Sequence, residues 1–313
     1  MIGSRARWLT GRYSNVDGIP FTMPVNTRSS PALLAAFTID PQAATSLLPG
    51  QELFPCRVMG RGLLVLTVVD YMDTTIGRYV ELCIGILVTR GRRHAPALIP
   101  AILRGAYGTG VYIYDLPVST DISVKGGLGI WGMPKRRASL DFVIGPDTVS
   151  TQYDLDGQLV LRLDVPKPAR TPVPMRMNGV GYGQFRGLLT KSRLRFRGRA
   201  GLSLRPAQGG RLLLGDHPRM DPIKALGIDP RPLLTGFVPA AEGVLDDHIE
   251  TWFLTSGQAP GPAEVGLKDV IDLDLSEQWL PPPDRAYSDR LLRELSPEQA
   301  VRARPLPSPA ALS

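Results

Sequence analysis

The segment YDLDGQLVLRLDV, Tyr153 to Val165, sets two alternating apolar and polar runs on either side of an Asp-Gly pair. Alternation with period two turns one face of each run toward a core, and Asp-Gly tolerates the positive φ of a tight turn, so this stretch commits the chain to a β-hairpin. Similar short apolar, β-branched runs recur along the sequence and are cut off by glycine or proline, of which there are 33 and 30 in 313 residues. Such punctuation favours strands joined by turns over long helices. Strands are predicted at Leu63–Val69, Val80–Thr89, Gly110–Tyr114, Ser139–Ile144, Thr148–Asp154, Leu159–Val165, Leu188–Arg197 and Arg211–Leu214.

Helices are expected to be few. Asp40 can cap PQAATSLLP, with Pro41 in the first helical position, and Ser119 or Thr120 can cap DISVKGGLGIW. The second segment carries three glycines, which predicts either a short helix or one packed closely against something. Beyond Thr255 the composition changes to a linker, SGQAPGPAEVG, then an arm ended by three prolines, a charged helix around DRAYSDRLLREL, and a tail, ARPLPSPAALS, expected to be disordered. The expected organisation is an N-terminal lead (1–22), one mainly β domain with peripheral helices (23–254), and a C-terminal extension (255–313). No internal repeat is present.

With 43% hydrophobic residues the chain can build a true core. No run of about 18 apolar residues and no apolar leader at the N-terminus is found, so no membrane contact is expected and the cytoplasm is the default location. Cys56 and Cys83 lie in or beside apolar runs and read as buried thiols; His94, His217 and His248 share no ligand spacing, so no metal is expected. The net charge is +7, concentrated in KSRLRFRGR, where Lys191, Arg193, Arg195, Arg197 and Arg199 alternate with other residues like one face of a strand. The plain reading is a solvated outer face; no nucleic-acid motif accompanies it, and no nucleic-acid partner is expected.

One lysine stands apart. In GIWGMPKRRASLDF, Lys135 follows a glycine-broken apolar run with Trp131 and Met133 and precedes Arg136 and Arg137. It is either a surface charge or an amine meant to lose its proton. Burial beside Trp131 and Met133 would strip the ammonium of hydration and favour the neutral amine, a nucleophile for ketones. Arg136 could add to this, since two unit charges about 4 Å apart interact by about 4 kcal/mol at an effective dielectric of ~20. Adjacent residues on a strand point to opposite faces, however, so desolvation ranks above repulsion. Residues 131, 133 and 135 would share one face, and Arg136 would fall in phase with Ala138, Leu140 and Phe142 on the other. A cation on an apolar face suggests a bulge or turn at PKRR.

These residues resemble the acetoacetate decarboxylase superfamily. WGMPKRRA is similar to the signature around that family's Schiff-base lysine, LLPGQEL to a helix end, DTTIGRYVELCIGILV to a pair of elements further on, and LLLGDHPRMDPIKAL to its late strand and loop. The resemblance spans roughly residues 23–254, and the enzyme is itself a known example of a lysine activated by desolvation or a neighbouring cation. It implies a closed antiparallel β-barrel with helices outside, assembled as a symmetric homo-oligomer, and needing no cofactor.

By the same resemblance Lys135 is the Schiff-base lysine, Arg136 stands in for a second lysine, Glu81 is the active-site acid, and Arg28 binds the substrate carboxylate; Trp131 and Met133 would line the pocket. The family's second glutamate falls near Thr67, where no acid stands. Asp70 and Asp73 read as turn and cap residues. The implied activity is a carbon–carbon lyase acting on a small oxo acid, decarboxylating a 3-oxo acid through an imine. An aldolase or dehydratase acting on pyruvate-like 2-oxo acids, and a non-catalytic binding barrel, are the alternatives.

Overall fold

The computed structural model describes residues 12–91, 95–96, 106–167, 173–204, 210–245, 250–255, 273 and 275–302. His94, His248, the SGQAPGPAEVG linker and the ARPLPSPAALS tail lie outside the described residues.

Strands β1 (Arg12–Val16) and β2 (Ile19–Met23) form a hairpin, followed by the long β3 (Val25–Ile39). Helix α1 (Pro41–Thr45) starts at Asp40, whose carboxylate accepts a hydrogen bond from the Gln42 amide. Next come β4 (Leu53–Pro55), β5 (Gly62–Tyr71), β6 (Asp73–Thr74), β7 (Tyr79–Arg90) and β8 (Gly110–Val118). Helix α2 (Asp121–Trp131) leads to β9 (Lys135–Arg137), then β10 (Ser139–Leu140), β11 (Val143–Ile144), β12 (Thr148–Leu155) and β13 (Gln158–Pro166). The chain continues through β14 (Val173–Phe185), β15 (Leu188–Leu204), β16 (Arg211–Leu214), helix α3 (Asp221–Lys224), β17 (Leu234–Leu245) and β18 (Glu250–Phe253). Helices α4 (Arg285–Glu294) and α5 (Pro297–Ala300) close the described chain.

Strands β7, β5, β3, β17, β15, β14 and β8 are hydrogen-bonded in that order, and β8 returns to β7, closing a seven-stranded barrel. The barrel is mixed, not purely antiparallel as the family resemblance had implied: β14 runs parallel to β8, and β9 adds to β8 in parallel. The β8–β9 pair has a local reason, because parallel neighbours need a crossover, and here α2 supplies it.

A second, antiparallel sheet of β10 to β13 and β16 covers one side of the barrel. The main core lies between them. Leu33, Ala35, Phe37 and Ile39 on β3, Leu64, Leu66 and Val68 on β5, and Leu82, Ile84, Ile86 and Val88 on β7 point outward to meet Val149, Tyr153, Leu161 and Leu163 of the second sheet. Each leucine, isoleucine, valine or phenylalanine among them contributes about 1.5–3 kcal/mol by leaving water. Alternation then forces Thr67, Val69, Tyr71, Glu81 and Cys83 to the opposite, lumen side of the same strands.

The hairpin predicted at Asp156-Gly157 is present, and both turn residues have positive φ. The span predicted as one strand at Ser139–Ile144 is two short strands, because Asp141 turns to receive Arg285 of α4. From Arg12 on, the N-terminal lead is the β1–β2 hairpin packed on α2. The basic strand is β15: Arg193, Arg197 and Arg199 are exposed, with Lys191 and Arg193 paired to Glu250 and Arg197 to Glu242. No helix among the described residues is long and apolar enough to cross a membrane.

Candidate active site

Lys135 begins β9, in register with Leu116 of β8, and is 5% exposed. Its ammonium lies 2.7 Å from Oε2 of Glu81 and donates to Oγ of Ser123 at 3.1 Å. It also sits 5.1 Å from the centre of the Tyr79 ring, within reach of a cation–π attraction. The lysine stem crosses α2 at Gly127, where any Cβ would overlap the Lys135 side chain. Glycine is therefore required there by close approach; Gly129 is similarly crowded by Val16 of the hairpin, and Gly126 more loosely by Phe21. The glycine-rich helix predicted from DISVKGGLGIW is thus both short and closely packed. Its N-cap position is Thr120, but no side-chain cap forms; Ser119 instead accepts a hydrogen bond from the Val80 amide.

Glu81 is held from two sides. Its Oε1 accepts a hydrogen bond from Tyr71 at 3.3 Å, and Tyr71 stacks on Tyr79 with ring centres 4.6 Å apart. The Tyr79 hydroxyl shares a hydrogen bond with Ser123. Burial first, then the Glu81 charge, raises both phenols well above their ordinary range, so they remain protonated donors. Cys83 faces the same space; burial and Glu81 push its thiol up to about 12, against a hydrogen bond from Thr67 that lowers it. Where the resemblance implied a second acid, Thr67 thus pairs with a neutral thiol.

Arg136 turns the other way. Its Nε lies 2.9 Å from Oδ1 of the fully buried Asp115, whose Oδ2 takes Nε of Arg219 at 3.1 Å and the Tyr153 hydroxyl at 3.2 Å. No bulge forms within β9: Lys135, Arg136 and Arg137 follow Leu116, Pro117 and Val118 in unbroken register. Of the expected bulge or turn at PKRR, only a turn is present, at Pro134, where the Lys135 amide donates to the Met133 carbonyl at 2.7 Å; within the strand a buried carboxylate, invisible to local periodicity, meets the arginine on the apolar face.

Trp131 and Met133 are buried with Met23, Val25, Ile113 and Leu116, with Cys83 against them, forming an apolar cluster beside the ion pair. The polar company of Lys135 is instead Glu81, Ser123 and Tyr79. Arg28 is exposed, its backbone in register with Asp73, and makes no ion pair among the described residues. It lies at the end of the barrel where Tyr71 closes β5. Asp70 takes both prongs of Arg78 at 3.2 and 2.8 Å, as a structural residue does. His217 caps a turn, accepting from the Arg219 amide, and burial lowers its pKa. No group of three or more His, Cys, Asp and Glu suited to a metal occurs among the described residues.

Sequence reasoning missed Ser123, Tyr71 and Tyr79. Ser123 and Gly127 stand four apart, on one face of α2, and that pair of small residues beside a lysine motif was the available signal.

A mixed β-barrel in which a buried lysine pairs with a half-buried glutamate, with that lysine on a short strand after a crossover helix, defines an acetoacetate decarboxylase-like protein. A family model for acetoacetate decarboxylase matches residues 12–233, and the chain belongs to that family. Its fold is similar to a solved acetoacetate decarboxylase (15% identity, TM-score 0.53, covering 74% of this chain and 89% of that one). It is likewise similar to acetoacetate decarboxylase from Legionella pneumophila subsp. pneumophila str. Philadelphia 1 (16%, TM-score 0.51, 71% and 85%). A third similar structure is the enduracididine biosynthesis enzyme MppR complexed with pyruvate (15%, TM-score 0.51, 73% and 90%). No curated protein matches the sequence.

Proposed function

We propose that this protein is a carbon–carbon lyase that decarboxylates a small 3-oxo acid through an imine on Lys135. The observation that carries this reading is the 2.7 Å contact between a buried lysine and a half-buried carboxylate, with Ser123 at 3.1 Å, in a barrel of this family. Glu81 takes a proton from the ammonium, and the freed amine attacks the keto carbon. The carbinolamine loses water as its hydroxyl receives that proton, leaving a cationic imine. The electron pair of the bond to the carboxylate carbon then flows toward the imine nitrogen; CO₂ leaves and an enamine remains. Protonation at carbon restores the imine, and water releases the ketone and the lysine. Arg28, charged and exposed at the Tyr71 end of the barrel, is suited to receive the substrate carboxylate, while Arg136 acts from behind by anchoring β9.

A second reading keeps the imine and changes the bond made, toward aldol or dehydration chemistry on 2-oxo acids. It is favoured by Thr67 and Cys83 standing where a second acid was implied, and by the fold's likeness to an enzyme complexed with pyruvate. Borohydride trapping with acetoacetate and with pyruvate, followed by peptide mass spectrometry, tests both. A reduced adduct on Lys135 with one acid selects the reading; no adduct with either, in folded protein, removes the imine.

A further inference from the structure

The matched family segment ends at residue 233, yet the chain beyond it reaches back to the lysine site. Leu273 is buried among Val69, Tyr71, Tyr79, Val118 and Val124. Tyr71 bonds Glu81, and Tyr79, stacked on it, faces Lys135. The carbonyl of Leu273 accepts a hydrogen bond from the buried Lys125 of α2 at 3.0 Å, which fixes its position on the helix that carries Ser123 and Gly127.

The residues that follow are fastened to the elements of the site. Arg137, two positions after Lys135, donates to the Gln278 carbonyl at 2.9 Å and pairs with Asp121 at the start of α2 at 3.0 Å. Trp279 lies against the Arg78 guanidinium, 5.6 Å from the ring centre, while Arg78 grips Asp70 on β5. Ser139 donates to the Pro281 carbonyl. Helix α4 then anchors the strap on the second sheet, where Arg285 takes Asp141 at 2.6 and 2.7 Å and the buried Ser288 bonds Gln152 and Arg162.

From this we infer that Leu273, held by the strap of residues 275–302, is a wall of the lysine site that limits the size of the oxo-acid chain and shields Lys135 from water. The inference rests on the proposed imine chemistry for its size-selection half only. A leucine packed on two aromatic rings sets the shape of an apolar subsite, and one methylene in such a subsite is worth about 10- to 200-fold in selectivity.

The test uses the full chain with Leu273→Ala and, as a volume-conserving control, Leu273→Met. Lys135 labelling by a water-soluble acylating reagent is followed by peptide mass spectrometry. Turnover of acetoacetate is compared with that of 3-oxohexanoate. For Leu273→Ala, labelling of Lys135 should rise about tenfold, and kcat/KM for the longer acid relative to the shorter should rise about tenfold. Leu273→Met should behave as the parent protein. Unchanged labelling in a folded Leu273→Ala protein overturns the wall. Should that variant not fold, Leu273→Val takes its place with a smaller rise expected, and none would overturn the inference equally. A parent protein that traps no oxo acid defeats the imine reading alone, since the labelling still reports on the wall.

Discussion

The Lys135 side chain runs across Gly127 so closely that a Cβ there would lie 2.7 Å from Lys135 Cε and closer still to its Cδ. Alanine at 127 gains about 1 kcal/mol in helix propensity and loses about 1–3 kcal/mol in overpacking, so stability changes little. The amine, at the far end of a flexible stem, is what moves. Gly127→Ala should keep Tm within several degrees of the parent while lowering the rate of imine trapping about 100-fold, the scale of a 1 Å misplacement. Borohydride trapping rates, read beside a thermal melt, check this.

Asp115, fully buried, holds two arginines and a tyrosine. Removing its charge takes a buried anion away from Arg136 and Arg219 together. Asp115→Asn should cost roughly 3–5 kcal/mol, the usual cost of breaking a buried pair. Chemical denaturation measures it, and a loss under about 1 kcal/mol would show that the arginines find other partners.

Cys83 shares the lumen with Glu81 and Lys135, and its thiol is raised to about 12 by burial and by the carboxylate. Only the thiolate reacts with iodoacetamide. Alkylation of Cys83 in folded protein should therefore be negligible at pH 8 and remain slow at pH 10. In Glu81→Gln it should become faster, because one of the charges opposing the thiolate is gone. Mass spectrometry of the Cys83 peptide reads both.

Asp154 on β12 is pushed up to about 6, chiefly by burial and further by the Asp141 and Asp284 carboxylates, against a hydrogen bond from Gln152. Its folded pKa lies above the unfolded value near 4, so the folded state holds its proton more tightly. The corresponding stability is fully present below pH 4 and is lost as pH rises through about 6. Asp154→Asn, which cannot ionise, should melt several degrees above the parent at pH 7.5 and match it at pH 4. Equal melting at both pH values would contradict the assignment.

The sequence by itself determined what local pattern can encode. Tyr153–Val165 had to be a hairpin, the strands at 63, 80, 148 and 159 followed from alternation, Asp40 capped its helix, and the apolar company of Lys135 set that lysine apart from the other cations. Other strands were hidden by their own breakers. Pro31 and the positive-φ Ser29 interrupt β3, glycines at 179, 181 and 183 weaken β14, and Pro239 sits at a register shift in β17. In each case pairing on both sides overrides local propensity. Only the tertiary structure decided that β8 pairs in parallel with β14, that Arg136 turns away to Asp115, and that Glu81, Ser123 and Tyr79 surround the amine. Only it carried Leu273 back across the chain to the same site. These contacts join residues from 12 to 148 positions apart, on different elements, and no period within one strand or helix records which distant carboxylate a buried cation will meet.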